Sequence, residues 1–120
     1  MRTYFSAGAI LAGVAAVLLA GTAAAHHGWG SYDPSKVITL EGPVLESRYE
    51  FPHGEIVMEG QGKRWNVVLA PPSRLSTRGV ERDDIAIGKR LKAEGYPSKA
   101  VDNEMRAERL TIAGRVFEMR

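Results

Sequence analysis

A β-rich run over residues 37–48, interrupted by Gly42-Pro43, constrains the fold of this chain more than any other feature. Proline cannot donate to a β-ladder, and a glycine–proline pair inside a strand is typical of a bulge or a bend. The residues after the pair follow the two-residue alternation of a half-buried strand. The run therefore predicts one long strand that bends in the middle and serves both halves of a barrel.

The rest of the chain predicts further strands and one short helix. Strands are expected over residues 55–59, 64–69, 90–96, 105–112 and 116–119. A hairpin turn is expected between the strands at residues 55–59 and 64–69. It would be formed by Gly60-Gln61-Gly62-Lys63, because glycine tolerates positive φ. After Pro71-Pro72, Ser73 is predicted to cap a helix that runs to about Arg78 and stops at Gly79.

Three strands, a short helix and then two strands is the order of an OB-fold. We therefore predict an all-β domain with one short helix over residues 36–120, built as a small OB-fold-like barrel (β-β-β-α-β-β). An SH3-like barrel and a plain sandwich remain as alternatives. Most of the core is expected from Leu40, Val44, Leu45, Ile56, Met58, Trp65, Val67, Leu69, Leu75, Leu91, Ala93, Leu110 and Ile112.

The segment before this domain reads as a secretory signal peptide over residues 1–25. Arg2 supplies the positive start, residues 7–20 form an apolar run, and Ala23 and Ala25 stand where a signal peptidase reads A-x-A. Uncleaved, the run is just long enough to anchor a chain in a membrane. We expect cleavage after Ala25, with Ala24 as the alternative. The mature protein is then periplasmic or secreted, without stable membrane insertion, and residues 26–35 form an irregular arm.

Composition excludes several functions. The chain has no cysteine, so disulfides, thiolate catalysis and zinc–thiolate sites are excluded. It carries 16 Lys and Arg against 14 Asp and Glu, and loss of Arg2 with the leader lowers the net charge from +2 to +1. A nucleic-acid partner would favour a basic face, so none is expected.

The three histidines suggest a metal site. His26 and His27 would lie at or beside the new amino terminus, and imidazole and terminal-amine nitrogens suit copper. Cleavage after Ala25 lets the amine and ring of His26 hold one ion, with His27 or His53 as a further ligand. Cleavage after Ala24 instead permits a square-planar site, in which the terminal amine, two backbone amides and His27 supply the nitrogens. The alternative is that exposed terminal histidines bind metal incidentally and that His53 forms a hydrogen bond in a turn.

Catalysis has less support, so the chain is not expected to be an enzyme. Its serines lack a G-x-S-x-G setting, and residues 81–84 are predicted to be a charged, solvated loop. His53 with Glu55 or Asp33 is the one arrangement that resembles a base with an orienting partner. Three arginines lie in or near the predicted helix, namely Arg74, Arg78 and Arg82. They could form an anion-binding patch, but the simpler explanation is that each is separately solvated.

A set of short motifs resembles one family. In chain order they are Ala25-His26-His27, Tyr32-Asp33, Pro52-His53, Trp65, Leu75-x-x-Arg78-Gly79, Ile87-Gly88, Glu94-Gly95-Tyr96 and Leu110-Thr111-Ile112. Together they resemble an exported bacterial family, the domain-of-unknown-function family 6152, over essentially the whole mature chain. Gly54-Glu55 departs from the apolar or aromatic strand that follows the corresponding histidine in that family. The resemblance implies export and a small β-barrel, and it implies no activity.

Two functional hypotheses follow. The first is an exported, non-catalytic protein that binds or handles copper through His26, His27 and His53. The second is a metal-free interaction module of the OB type, which docks an exported or membrane-associated protein.

Overall fold

The computed structural model describes Thr3 and residues 28–120. The predictions for the rest of the signal peptide, and for His26 and His27, therefore fall outside the described residues. In the part of the chain that is described, no helix is long and apolar enough to cross a membrane.

Strands and short helical segments form where the sequence pattern places them, with small shifts at their ends. The strands are β1 (Ile38–Pro43), β2 (Glu46–Arg48), β3 (Glu55–Gly60), β4 (Lys63–Val68), β5 (Arg90–Pro97), β6 (Glu104–Ile112) and β7 (Arg115–Glu118). The helix α1 (Pro72–Thr77) lies between β4 and β5, and single 3₁₀ turns cover Trp29–Ser31 and Arg82–Ile85.

The strands form one curled sheet in the order β1-β5-β6-β4-β3-β2, and β7 pairs with β6. β1 and β2 are the two halves of the predicted bent strand, and they lie at opposite ends of this order. Gly42 and Pro43 still pair with β5, and the chain changes partner after them, because the N–H of Leu45 donates to the carbonyl of Val57 in β3. The β4–β6 pair is parallel, whereas the other pairs are antiparallel. The sheet thus curls into the small OB-like barrel that the strand order predicts.

The barrel interior is filled by aliphatic side chains, methionines and Trp65. The predicted core positions are buried, except that Leu45 and Ile112 are only partly buried. Among the described residues, the sequence analysis missed several core side chains. They are Tyr32, Ile38, Val57, Val68, Ala70, Val80, Ile85, Met105, Ala107, Phe117 and Met119.

One local prediction is wrong, and another is incomplete because the exposed residues 81–83 belong to an ordered turn. Pro71, and not Ser73, is the N-cap of α1, and no side chain caps that end by a hydrogen bond. Proline suits the first turn of a helix because its missing N–H has no partner there anyway. Residues 81–84 are also more ordered than a solvated loop, since Glu81 and Asp84 form a reciprocal capping box around the 3₁₀ turn.

The described part of the arm is pinned to the barrel. Tyr32 pairs with Ser98 in an isolated β-bridge, and the backbone N–H of Asp33 donates to the carbonyl of Pro97 at 2.9 Å. The Tyr32 side chain is 1% exposed, and its hydroxyl donates to Glu104 Oε2 at 2.9 Å. The arm is therefore held at the end of β5 and at the start of β6.

Candidate functional site

A cavity of about 310 Å³ opens where the loop after β2 meets the end of β4, helix α1 and strand β6. Its apolar walls are Phe51, Pro52, Val68, Leu69 and Pro71. Its polar groups are His53, Arg74 and Arg106. We call this cavity the Arg106 groove.

Backbone hydrogen bonds beyond β3 and β4 hold the histidine side of the groove. The N–H of Gly54 donates to the carbonyl of Ala70, and the N–H of Leu69 donates to the carbonyl of Gly54, both at 2.9 Å. A Cβ on Gly54 would stand 2.8 Å from Leu75 Cδ1, so the absence of a side chain lets this loop approach α1 closely. The loop that carries His53 is therefore fixed against the helix that carries Arg74.

His53 is half-buried, and its Nδ1 lies 3.0 Å from the carbonyl oxygen of Gly54. A carbonyl can only accept, so this contact is a hydrogen bond when Nδ1 carries the proton. In the neutral ring, that tautomer places the lone pair on Nε2, which is the nitrogen that could bind a metal ion.

Arg106 projects from β6 into the groove, and only 9% of it is exposed. Burial lowers the pKa of the Arg106 guanidinium, the nearby Tyr32 partly offsets this, and the like charges of Arg74 and Arg120 lower that pKa further. Arginine nevertheless stays protonated in proteins. The groove therefore holds a charge that has lost much of its contact with water and has two cations nearby.

The described part of the arm contacts Arg106 through Trp29. The guanidinium of Arg106 lies 4.2 Å from the centre of the indole ring, and that of Arg120 lies 4.9 Å from it. Tyr96 meets the same ring edge-on, with 6.3 Å between centroids. Such cation–π contacts favour a fixed guanidinium position. Arg106 thus belongs both to the groove and to the contact between arm and barrel.

Gly95 allows strand β5 to come close to Arg106. A Cβ at position 95 would stand 1.9 Å from the carbonyl oxygen of Arg106, which no side chain could tolerate. The register of the two strands also shifts between Glu94 and Gly95. The Glu94-Gly95-Tyr96 motif thus helps to place the strand that carries Arg106.

The structure separates the three arginines that the sequence placed beside the helix. Arg74 lines the groove, whereas Arg78 donates to the carbonyl of Arg120 at 3.0 Å and Arg82 donates to the carbonyl of Tyr49 at 3.0 Å. The three-arginine patch, which was the less favoured alternative, is therefore not formed, and the second arginine that lines the groove with Arg74 is Arg106. Arg106 was missed because an isolated arginine in a strand reads as an exposed residue.

Of the histidines, His53 lies in the groove, whereas His26 and His27 fall outside the described residues. Within Thr3 and residues 28–120, no group of three or more His, Cys, Asp or Glu side chains is placed to hold a metal ion. The carboxylates considered as partners for His53 have contacts of their own. Glu55 binds Arg48 at 2.8 Å, and Asp33 accepts from the Ser35 hydroxyl at 2.6 Å.

The fold and the groove define a small OB-like barrel with an arginine-lined cavity. The N-terminal arm contacts one of these arginines, Arg106, through Trp29. The chain belongs to the family of unknown function DUF6152, whose sequence profile matches residues 14–106. The match includes the described arm and all the groove residues, and it confirms the family resemblance seen in the short motifs. No curated protein matches the chain.

Proposed function

We propose that this protein is an exported, non-catalytic binding module whose Arg106 groove takes an anionic group of its partner. The observation that carries the proposal is Arg106 itself. It is a guanidinium, nine-tenths buried, facing a cavity that also contains Arg74 and His53.

Charge is the physical argument. Removing a guanidinium from water costs free energy, and the like charges of Arg74 and Arg120 add to that cost. An anion entering the groove would offset both effects, because arginine binds carboxylate and phosphate oxygens in a bidentate, charge-assisted geometry. A cationic partner would instead be repelled by Arg106 and Arg74.

Isothermal titration calorimetry with inorganic phosphate and with acetate tests the proposal. Arg106→Gln should weaken binding of both anions by at least about tenfold, since a hydrogen bond to a charged group contributes about 1.5–3 kcal/mol. Arg74→Gln changes an exposed side chain, so it should weaken binding without affecting folding. Arg64→Gln is the matched control, because Arg64 pairs with Glu46 outside the groove. Equal affinities for all three variants would contradict the proposal.

Copper binding through the histidines is the second candidate function, and the position of the arm favours it. Trp29 contacts Arg106, which lines the same groove as His53. His27 lies two residues before Trp29 in the sequence. Because Arg74 and Arg106 oppose a bare cation, we expect donors that lose protons, such as backbone amides, to take part.

One added residue before His26 tests that site. The extension converts the terminal amine to an amide while every side chain stays in place. Mature protein should bind one Cu(II) more tightly than the extended form, and His53→Ala should weaken binding further where the arm reaches the groove. Equal copper affinity of the mature and extended forms would remove the terminal-amine site.

Export itself is part of the proposal and rests on the leader motif alone. The intact mass of protein recovered from the periplasm or the medium should correspond to a chain beginning at His26 or at Ala25. Full-length protein recovered only from the membrane fraction would refute this.

A further inference from the structure

We propose that the ligand of the Arg106 groove is a free, single-chain amphiphilic anion, such as a medium-chain carboxylate, whose headgroup meets Arg106 and Arg74. This inference rests on the proposed anion-binding function and specifies its ligand class.

The first argument is the composition of the groove walls. Arg74 and Arg106 share the groove with apolar side chains from the loop after β2 and from the segment between the end of β4 and the start of α1. These side chains are Phe51, Pro52, Val68, Leu69 and Pro71. Val68 and Leu69 are already buried, so a ligand that was only an anion would leave Phe51, Pro52 and Pro71 in contact with water. A ligand with an apolar tail would cover them and gain about 25 cal/mol for each Å² removed from water.

The second argument is an exposed aromatic residue at the same place. Phe51 is 87% exposed, which is the highest value among the large apolar side chains that the structure describes. Because this ring also lines the cavity, it is accessible to a ligand bound there. A tail that leaves the groove would run past this ring.

Size and depth favour a free molecule over a membrane surface. The cavity of about 310 Å³ is near the lower limit for small-molecule pockets, so it suits one short chain. Arg106 is nine-tenths buried, and a lipid held in a bilayer presents only its headgroup at the surface. A free amphiphile can bring its headgroup to Arg106 and lay its tail against Phe51.

Calorimetry with acetate, octanoate and 1-octanol separates the two chemical parts of the ligand. Each fully buried methylene adds about fourfold to affinity, so burial of two methylenes makes octanoate bind more than tenfold more tightly than acetate. 1-Octanol has the same tail without the charge and should bind much more weakly than octanoate. Octyl phosphate shows whether a phosphate headgroup can replace the carboxylate.

A pair of surface variants tests the wall. Phe51→Ser should lower octanoate affinity severalfold while leaving acetate affinity unchanged. Ile87→Ser is the matched control, because Ile87 is also a strongly exposed apolar residue, at 70%, and lies outside the groove. Both substitutions are at exposed positions, so neither should disturb folding.

The outcomes distinguish this inference from the function on which it rests. Equal affinity for acetate and octanoate would overturn the amphiphile and leave the anion site standing. Binding of 1-octanol as tight as that of octanoate, or no binding of any anion, would overturn both. Co-sedimentation with anionic phospholipid vesicles in the absence of octanoate binding would replace the free amphiphile with a membrane surface.

Discussion

Replacing Tyr32 by phenylalanine tests how the arm is attached to the barrel. The Tyr32 hydroxyl donates to Glu104 Oε2 at 2.9 Å, and the side chain is 1% exposed. A hydrogen bond to a charged acceptor contributes about 1.5–3 kcal/mol. Glu104 is only partly buried, so water can replace the lost donor and the cost should fall at the lower end of this range. We expect Tyr32→Phe to destabilise the protein by about 1.5 kcal/mol at pH 7.

The pH dependence of this substitution gives a second, independent expectation. Burial, followed by the hydrogen bond to Glu104, raises the pKa of Tyr32 well above its ordinary value of 10.0. Above pH 10 the unfolded phenol therefore ionises while the folded one stays neutral. The contribution of the Tyr32 phenol to the unfolding free energy of the parent is therefore fully present below pH 10. Above pH 10 it falls by about 1.4 kcal/mol for each pH unit.

Urea denaturation of the parent and of Tyr32→Phe at pH 7, 10 and 11 measures both effects. Phenylalanine does not titrate, so the difference in unfolding free energy should shrink from about 1.5 kcal/mol at pH 7 to near zero by pH 11. The other tyrosines are present in both proteins, so their contributions cancel. A difference that stays constant up to pH 11 would mean that the Tyr32 phenol is not held neutral by the fold.

Three further expectations concern the barrel and the arm. Trp65 is 3% exposed, so Trp65→Ala should cost on the order of 3–5 kcal/mol in urea denaturation, and unchanged stability would contradict its core position. Gly95→Ala places a Cβ against the carbonyl of Arg106 and should lower stability by about 3 kcal/mol or more, whereas Gly30→Ala, with open space around it, should change thermal unfolding little. Hydrogen bonds from the hydroxyl and the N–H of Ser35 lower the pKa of Asp33, so Ser35→Ala should raise the Asp33 pKa in a carboxyl NMR titration, and an unchanged value would contradict this assignment.

The fold was predictable because its signals are local. The ladder of β1 with β5 ends at Pro43 and that of β2 with β3 begins at Glu46, so the Gly42-Pro43 pattern in the sequence indicates a strand shared by both halves of the barrel. The hairpin turn at Gln61 and Gly62, both with positive φ, follows from its glycine-rich motif in the same way. Ser73 failed as a cap because Pro71-Pro72 already begins the helix.

The groove was only partly predictable because it depends on contacts between distant segments. His53 and Arg74 were noticed for their chemistry, but Arg106 reaches them only through the parallel pairing of β4 with β6. The docking of Trp29 on Arg106 depends on where the arm crosses the sheet, and no periodicity encodes that position. Tyr32 stood out in the sequence as part of the Tyr32-Asp33 motif, and its acceptor Glu104 lies 72 positions further along the chain.

The central claim is that Arg106 binds the anionic group of a ligand inside the groove. The most direct measurement is the NMR signal of the Arg106 Nε–Hε group during a titration with octanoate, with the Arg64 signal in the same spectrum as the internal reference. We predict a saturable shift of the Arg106 signal and a fixed Arg64 signal, because Arg64 lies outside the groove and pairs with Glu46. An Arg106 signal that stays fixed while octanoate binds, or two arginine signals that move together, would contradict the account.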